Sequence, residues 1–197
     1  MAECTKERFL EDVSRHEVTI LRDDGLYRHV RFSRPNSGIM RFDLVTWPGY
    51  LCYCGDVGEY VFSRIDDMFS FFRRADGGIN EGYWAEKCYA QDRGGVKRYS
   101  PEKARQQIVD YLEAVDADDV VKKEVEDDLF FAMDDMGEEE FRSYVDSFSC
   151  ESADGGEFRF RDFYEYDLME YSFRFIWCCY AMSWGIRQYD LMKGEQK

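Results

Sequence analysis

The chain has 197 residues and a mass of 23.4 kDa, with 45% apolar residues, 17% aromatics and three prolines, a composition that supports a buried core and excludes an acidic disordered tail. Its formal charge of −15 is local, because residues 101–157 carry 19 Asp or Glu against five Lys or Arg while the other 140 residues carry 22 acids against 21 bases. Such a distribution disfavours a phosphate-seeking surface and creates a directional field suited to a basic partner.

Thr5 to Arg15 is predicted to be a short helix, with Phe9, Leu10 and Val13 on one side. The period then changes to two. Val18 to Arg22, Tyr27 to Ser33, Ile39 to Trp47, Tyr50 to Cys54 and Tyr60 to Ser63 are aromatic or β-branched runs. Asp24-Gly25, Pro35-Asn36-Ser37-Gly38, Pro48-Gly49 and Gly55 to Gly58 separate them, which predicts an antiparallel meander. Ser63 and Asp66 resemble a capping box for a helix carrying Ile65, Met68, Phe69 and Phe72, whose rings should pack on the sheet. Residues 75–99 read as an irregular connection anchored by Tyr83 and Trp84 between two Gly-Gly pairs.

Ser100-Pro101-Glu102 supplies a cap, a first-turn proline and an N-terminal acid, so a helix should begin there. Apolar residues at helical spacing extend it over 102–115 and predict two more helices, over 117–133 and 138–149. Glu157 to Arg161 alternates like a brief strand. From about Phe163 the pattern is helical again, with Tyr164, Leu168, Tyr171, Phe175, Cys178 and Met182 down one side and the last turns apolar all round, as in a central core helix. The expected organisation is a single α+β domain: a meander and helix over 1–99, an acidic helical lobe over 100–157 and a C-terminal core helix within 158–197.

Chemistry-bearing motifs are sparse. The N-terminus has no basic region followed by an apolar stretch, and the apolar run that includes Ile176 to Ala181 is far shorter than the roughly 20 residues of a membrane span. A cytoplasmic protein with no membrane contact is expected. Seven cysteines without an export signal should be reduced thiols, and their spacing matches no zinc site. Asp116 to Asp128 and Asp134 to Glu140 lack the ligand pattern of a calcium loop, and the only ExK sequence is Glu195-Gln196-Lys197 at the terminus. No metal, cofactor or catalytic residue is therefore assigned. His29 could approach Cys52 or Cys54 across the meander, which leaves a cysteine-dependent enzyme as an alternative, and Tyr83 with Trp84 could serve a small-molecule sponge. Arg22, Arg28, Arg31, Arg34 and Arg41, with Tyr27 and Phe32, could form a basic aromatic surface, but residues 1–100 hold 16 acids against 15 bases, so direct nucleic-acid binding is not expected.

The acids of the middle segment are the strongest feature. Adjacent pairs such as Asp118-Asp119, Asp127-Asp128 and Asp134-Asp135 point about 100° apart on a helix, which suits a charged surface better than a carboxylate dyad. Fourteen net charges match about 24 Å of duplex DNA at one charge per roughly 1.7 Å, and a 15-residue helix is about 22 Å long. The expected partner-binding residues are Asp118, Asp119, Glu126, Asp127, Asp134, Asp135, Glu138, Glu139 and Glu140, imitating a nucleic-acid backbone toward Lys and Arg of a basic protein.

Thr46-Trp47-Pro48-Gly49, Gly55-Asp56-Val57-Gly58, Tyr60-Val61-Phe62-Ser63-Arg64, Asp67-Met68-Phe69 and Phe71-Phe72-Arg73 together resemble a block in hypothetical proteins of phages and prophages. The block covers about residues 40–74, within the meander and first helix, and so implies a shared scaffold rather than a site. Phage origin in turn implies a non-enzymatic counter-defence inhibitor of the anti-CRISPR kind, acting in the host cytoplasm on a nuclease or guide-RNA complex. The crowded aromatics of the last helix would also suit a homodimer.

Overall fold

A computed structural model describes residues 3–133 and 136–195 of the chain. The fold is α+β, as the periodicities predict. The chain divides into two compact units, one formed by Met1–Lys97 with Tyr171–Lys197 and the other by Arg98–Glu170.

The first unit opens with α1 (Lys6–Asp12), whose N-cap Thr5 accepts a hydrogen bond from the Arg8 amide. Six antiparallel strands follow, β1 (Glu17–Asp24), β2 (Tyr27–Ser33), β3 (Phe42–Trp47), β4 (Tyr50–Gly55), β5 (Glu59–Ser63) and β6 (Cys88–Gln91), in sequential order across the sheet. Strict alternation sends Val30, Phe32, Phe42, Leu44, Leu51, Tyr53, Tyr60 and Phe62 to one face, where all are buried. Against that face packs α8 (Phe173–Glu195), contributing Phe175, Trp177, Cys178, Cys179, Met182 and Ile186 to the same core. Gly185 allows the closest approach, since a β-carbon there would lie 3.0 Å from the Phe32 ring and 3.2 Å from Leu44. The aromatics of α8 are thus largely consumed within their own unit.

Several boundaries differ from the predicted ones for local reasons. The strand expected from Ile39 begins at Phe42, because Met40 adopts a positive φ of 56°. The helix expected from Ser63 is shorter, α2 (Met68–Phe72), and its cap is Asp67, which accepts the Phe69 amide; Ser63 remains in β5 and Ile65 is exposed. The connection over 75–99 contains α3 (Glu81–Glu86), capped by Asn80, and the edge strand β6, which pairs with Tyr60 to Phe62. Trp84 is buried against Phe72 in this segment, so one of the two aromatics assigned to a sponge is a core residue.

The second unit contains α4 (Pro101–Ala114), α5 (Asp119–Asp127), α6 (Leu129–Ala132), α7 (Glu138–Ser147) and the hairpin β8 (Ser149–Glu151) with β9 (Glu157–Arg159). Ser100 caps α4 by accepting the Lys103 amide, as its sequence predicts. Ile108, Leu112, Val121, Val125, Leu129, Phe141, Val145, Phe160, Phe163 and Leu168 form a second core, distinct from the first. Phe163 and Leu168 were expected on the last helix, but Asp162 has φ 54° and only a 3₁₀ turn, Phe163–Glu165, follows it. Short strands β7 (Lys97–Tyr99) and β10 (Met169–Tyr171) pair as a two-stranded sheet, and α8 begins beyond them, where Ser172 accepts the Phe175 amide.

Candidate functional site: an acidic unit and a thiol-bearing sheet face

Assigning residues to the units sharpens the charge asymmetry. Arg98–Glu170 holds 23 acids against eight Lys or Arg, whereas the first unit holds 18 against 18. The whole net charge belongs to the second unit. Its helices bury Val121, Val125, Phe141 and Val145 on one stripe, which leaves the charged positions to solvent.

The expected binding residues fall into three groups. Asp119, Glu126, Asp127, Glu139 and Glu140 are exposed and make no ion pair among the described residues. Asp118 and Glu138 instead have local structural work. The Asp118 carboxylate accepts the amides of Val120, Val121 and, from the hairpin, Ala153, and these backbone donors lower its pKa. Glu138 accepts from Arg142 one helical turn on, at 3.0 Å. Asp134 and Asp135 lie outside the described residues. Asp128, which is not among the expected binding residues, accepts the Tyr144 hydroxyl at 2.6 Å and so links the start of α6 to α7.

The arginines of the meander do not form a basic surface. Arg28 donates to Asp67 at 2.7 Å and lies over the Phe69 ring, Arg34 donates to the Asp12 carbonyl, Arg22 pairs with Asp24 and Phe32 is fully buried. Arg22, Arg28 and Arg31 are thus paired with carboxylates, while Arg41 stays exposed.

The sheet face opposite the core carries a more ordered arrangement. Register places Arg31, Asp43, Cys54 and Glu59 in one row across β2 to β5, and His29, Val45, Cys52 and Val61 in the next. The first row is charged and the second mostly apolar. Asp43 is 6% exposed despite facing away from the core, because the Arg31 guanidinium chelates it at 2.9 and 2.8 Å and His29 Nε2 reaches diagonally to it at 2.7 Å. Burial alone would raise the Asp43 pKa, but hydrogen bonds from Arg31 and His29 outweigh it and hold the carboxyl below its ordinary value.

Cys52 and Cys54 are both half-buried on this face. Interaction with the neighbouring Cys52 thiol lowers Cys54 to about 7, against the opposing effects of burial and of the Asp43 and Glu59 carboxylates, with His29 also favouring the thiolate. Cys52 shifts upward, through its interaction with Cys54 and through burial beside Val45 and Val61. The expected approach of His29 to the two cysteines is therefore an approach to the same face, but the ring bonds to Asp43, and no hydrogen bond joins it to either thiol among the described residues. Cys4, Cys178 and Cys179 are buried, and burial raises all three. Cys88 is pushed up to about 11 by burial, and Cys150 also shifts upward. Among the described residues no group of three or more His, Cys, Asp or Glu side chains is arranged to hold a metal ion, and no helix is long and apolar enough to cross a membrane.

No family model, curated protein or solved structure matches this chain.

Proposed function

We propose that the protein acts by binding, presenting the acidic surface of the second unit to a basic macromolecule, and that its target is a host complex that handles nucleic acid. The observation that carries this reading is the confinement of the full charge of −15 to a unit with its own hydrophobic core. Carboxylates on a packed framework lose little conformational entropy on binding, whereas the same charges on a flexible tail would lose more. Their mutual repulsion is relieved when a cationic surface arrives. Asp119, Glu126, Asp127, Glu139 and Glu140, exposed and without an ion pair among the described residues, are the proposed contacts, pairing with Lys and Arg that otherwise engage phosphates. Inhibition then follows from occupancy: a groove filled by carboxylates cannot hold a nucleic-acid strand. The narrower reading, a phage counter-defence factor against a nuclease or guide-RNA complex, rests on the resemblance over residues 40–74.

The test is retention from phage-infected host lysate on immobilised protein, with a charge-reversed protein (Asp119, Glu126, Asp127, Glu139 and Glu140 all to Lys) as control. A nucleic-acid-binding protein retained by the first, lost by the second and displaced by added nucleic acid supports the reading. Retention that ignores charge reversal, or no specific retention at all, overturns it. Circular dichroism of the reversed protein verifies that the fold is intact.

A further inference from the structure

The geometry of the first unit points to a small-ligand site: we infer that a cavity between α1, α8 and the loop at Gly77 binds a small carboxylate carrying one compact apolar group. The inference is independent of the acidic surface, since every residue that lines the cavity belongs to the first unit.

Helical spacing builds the walls. Lys6, Phe9 and Leu10 stand at i, i+3 and i+4 of α1, and Tyr180, Trp184 and Arg187 at i, i+4 and i+7 of α8, so each helix turns one mixed face to the cavity. Phe9 stacks on Tyr180 with ring centroids 5.8 Å apart and meets Trp184 edge-on at 6.1 Å, which gives the cavity a fixed aromatic floor. The free volume is about 80 Å³. An apolar cavity of roughly 150 Å³ encloses a whole benzene, and sites for drug-sized ligands begin near about 300 Å³, so this one seats a single branched alkyl group or the edge of one ring.

The rim is cationic. A β-carbon built on Gly77 would lie 3.4 Å from Lys6 Nζ and 3.9 Å from a terminal nitrogen of Arg187, so two positive groups converge on one point. Lys6 donates to the Asp76 carbonyl at 3.1 Å, and neither cation has an ion pair among the described residues. The carboxylates of the neighbourhood are engaged elsewhere: Asp76 accepts the Gly78 amide and lies 3.9 Å from Arg74, and Asp190 is held by Arg73. Burial raises the Tyr180 pKa first, and Cys4, Glu81 and Glu7 add to it, yet neither glutamate bonds to Lys6 or Arg187 among the described residues. Trp177 donates its indole N–H to Asp12, whereas that of Trp184 has no acceptor among the described residues, so a donor on the cavity wall is unspent. Floor and rim together select the ligand. A neutral hydrocarbon leaves the cations unanswered, and an inorganic anion has nothing to bury, while a carboxylate on a compact apolar group satisfies both and matches the planar guanidinium.

The experiment titrates isocaproate into the full chain and follows backbone and indole resonances by proton–nitrogen correlation NMR, with isocaproamide as the neutral isostere. The expected result is a saturable shift of the Trp184 indole and Gly77 amide signals with a Kd of about 1 mM, the scale open to a ligand of about eight heavy atoms. Isocaproamide, which answers neither cation, should bind about tenfold more weakly. Arg187→Gln and Lys6→Gln should each weaken isocaproate by about three- to fivefold, as befits a solvent-facing ion pair, and leave the aromatic floor intact. Thermal melts of both variants establish that the unit is folded. Equal binding of acid and amide, shifts centred away from Trp184 and Gly77, unchanged affinity in both variants, or no saturation by about 20 mM isocaproate would overturn the assignment. So would shifts of the same signals with protein concentration alone, which would make a second copy of the chain the occupant.

Discussion

Asp43 shows how a single residue acquires its properties from strands that are distant in sequence. Its carboxylate is buried on a face that otherwise meets solvent, and two neighbours on β2 supply its partners. Replacing it with Asn removes the charge that holds Arg31 and His29, and should cost about 1–3 kcal/mol in urea denaturation, below the full value for a buried pair because Arg31 remains partly exposed. The pH dependence has a definite sign. The Asp43 and Asp67 carboxyls are both held below the ordinary aspartate value of about 4 in the fold, so their contribution is fully present above that value and is lost as pH falls through the depressed folded values. Acid denaturation midpoints should accordingly move less with pH in Asp43→Asn than in the unaltered chain below about pH 4. None of this was legible locally: the sequence places Arg31 and Asp43 twelve positions apart, and only the hairpin register brings them together.

At the scale of elements, local signals and long-range packing divide the work. Ser100 with Pro101 announced α4 and the structure uses that cap, because capping depends on residues within one turn. Ser63 was misleading, since β5 continues through it and its amide bonds to Lys87, a partner contributed by the segment that leads into β6. That sixth strand was missed because Cys88-Tyr89-Ala90-Gln91 has little β character of its own and is specified by pairing with Tyr60 to Phe62. Gly185 is similarly invisible in sequence, yet it is where α8 touches the sheet. Gly185→Ala should gain about 1 kcal/mol of helix propensity and still be net destabilising by about 1–2 kcal/mol, because the Phe32 ring it meets is fully buried between Phe42 and Trp184 and cannot move aside. Asp118→Ala tests the division among the acids: loss of the α5 cap and of the tie to Ala153 should lower the melting temperature by a few degrees and leave partner binding nearly unchanged, whereas Glu126→Lys should do the reverse.

Across the whole molecule, the charge partition is the property with the widest consequences. A unit carrying 23 acids against eight bases repels itself, so raising ionic strength toward 0.15 M, where the screening length is about 8 Å, should raise its melting temperature. The same salt should weaken partner binding steeply. These opposite responses, measured on one preparation by calorimetry and by affinity, separate an electrostatic binding face from a hydrophobic one. Sequence alone determined the meander, the capped helices and the existence of an acidic stretch, because alternation, caps and composition are carried by neighbours in the chain. Only tertiary structure decided that the acidic stretch extends to a unit spanning Arg98–Glu170, which of its carboxylates are already engaged, and that two thiols share a row pattern with Arg31, Asp43 and His29. The reason is physical: those outcomes depend on strand register and core membership, and both are fixed by pairings between residues that sequence proximity does not connect.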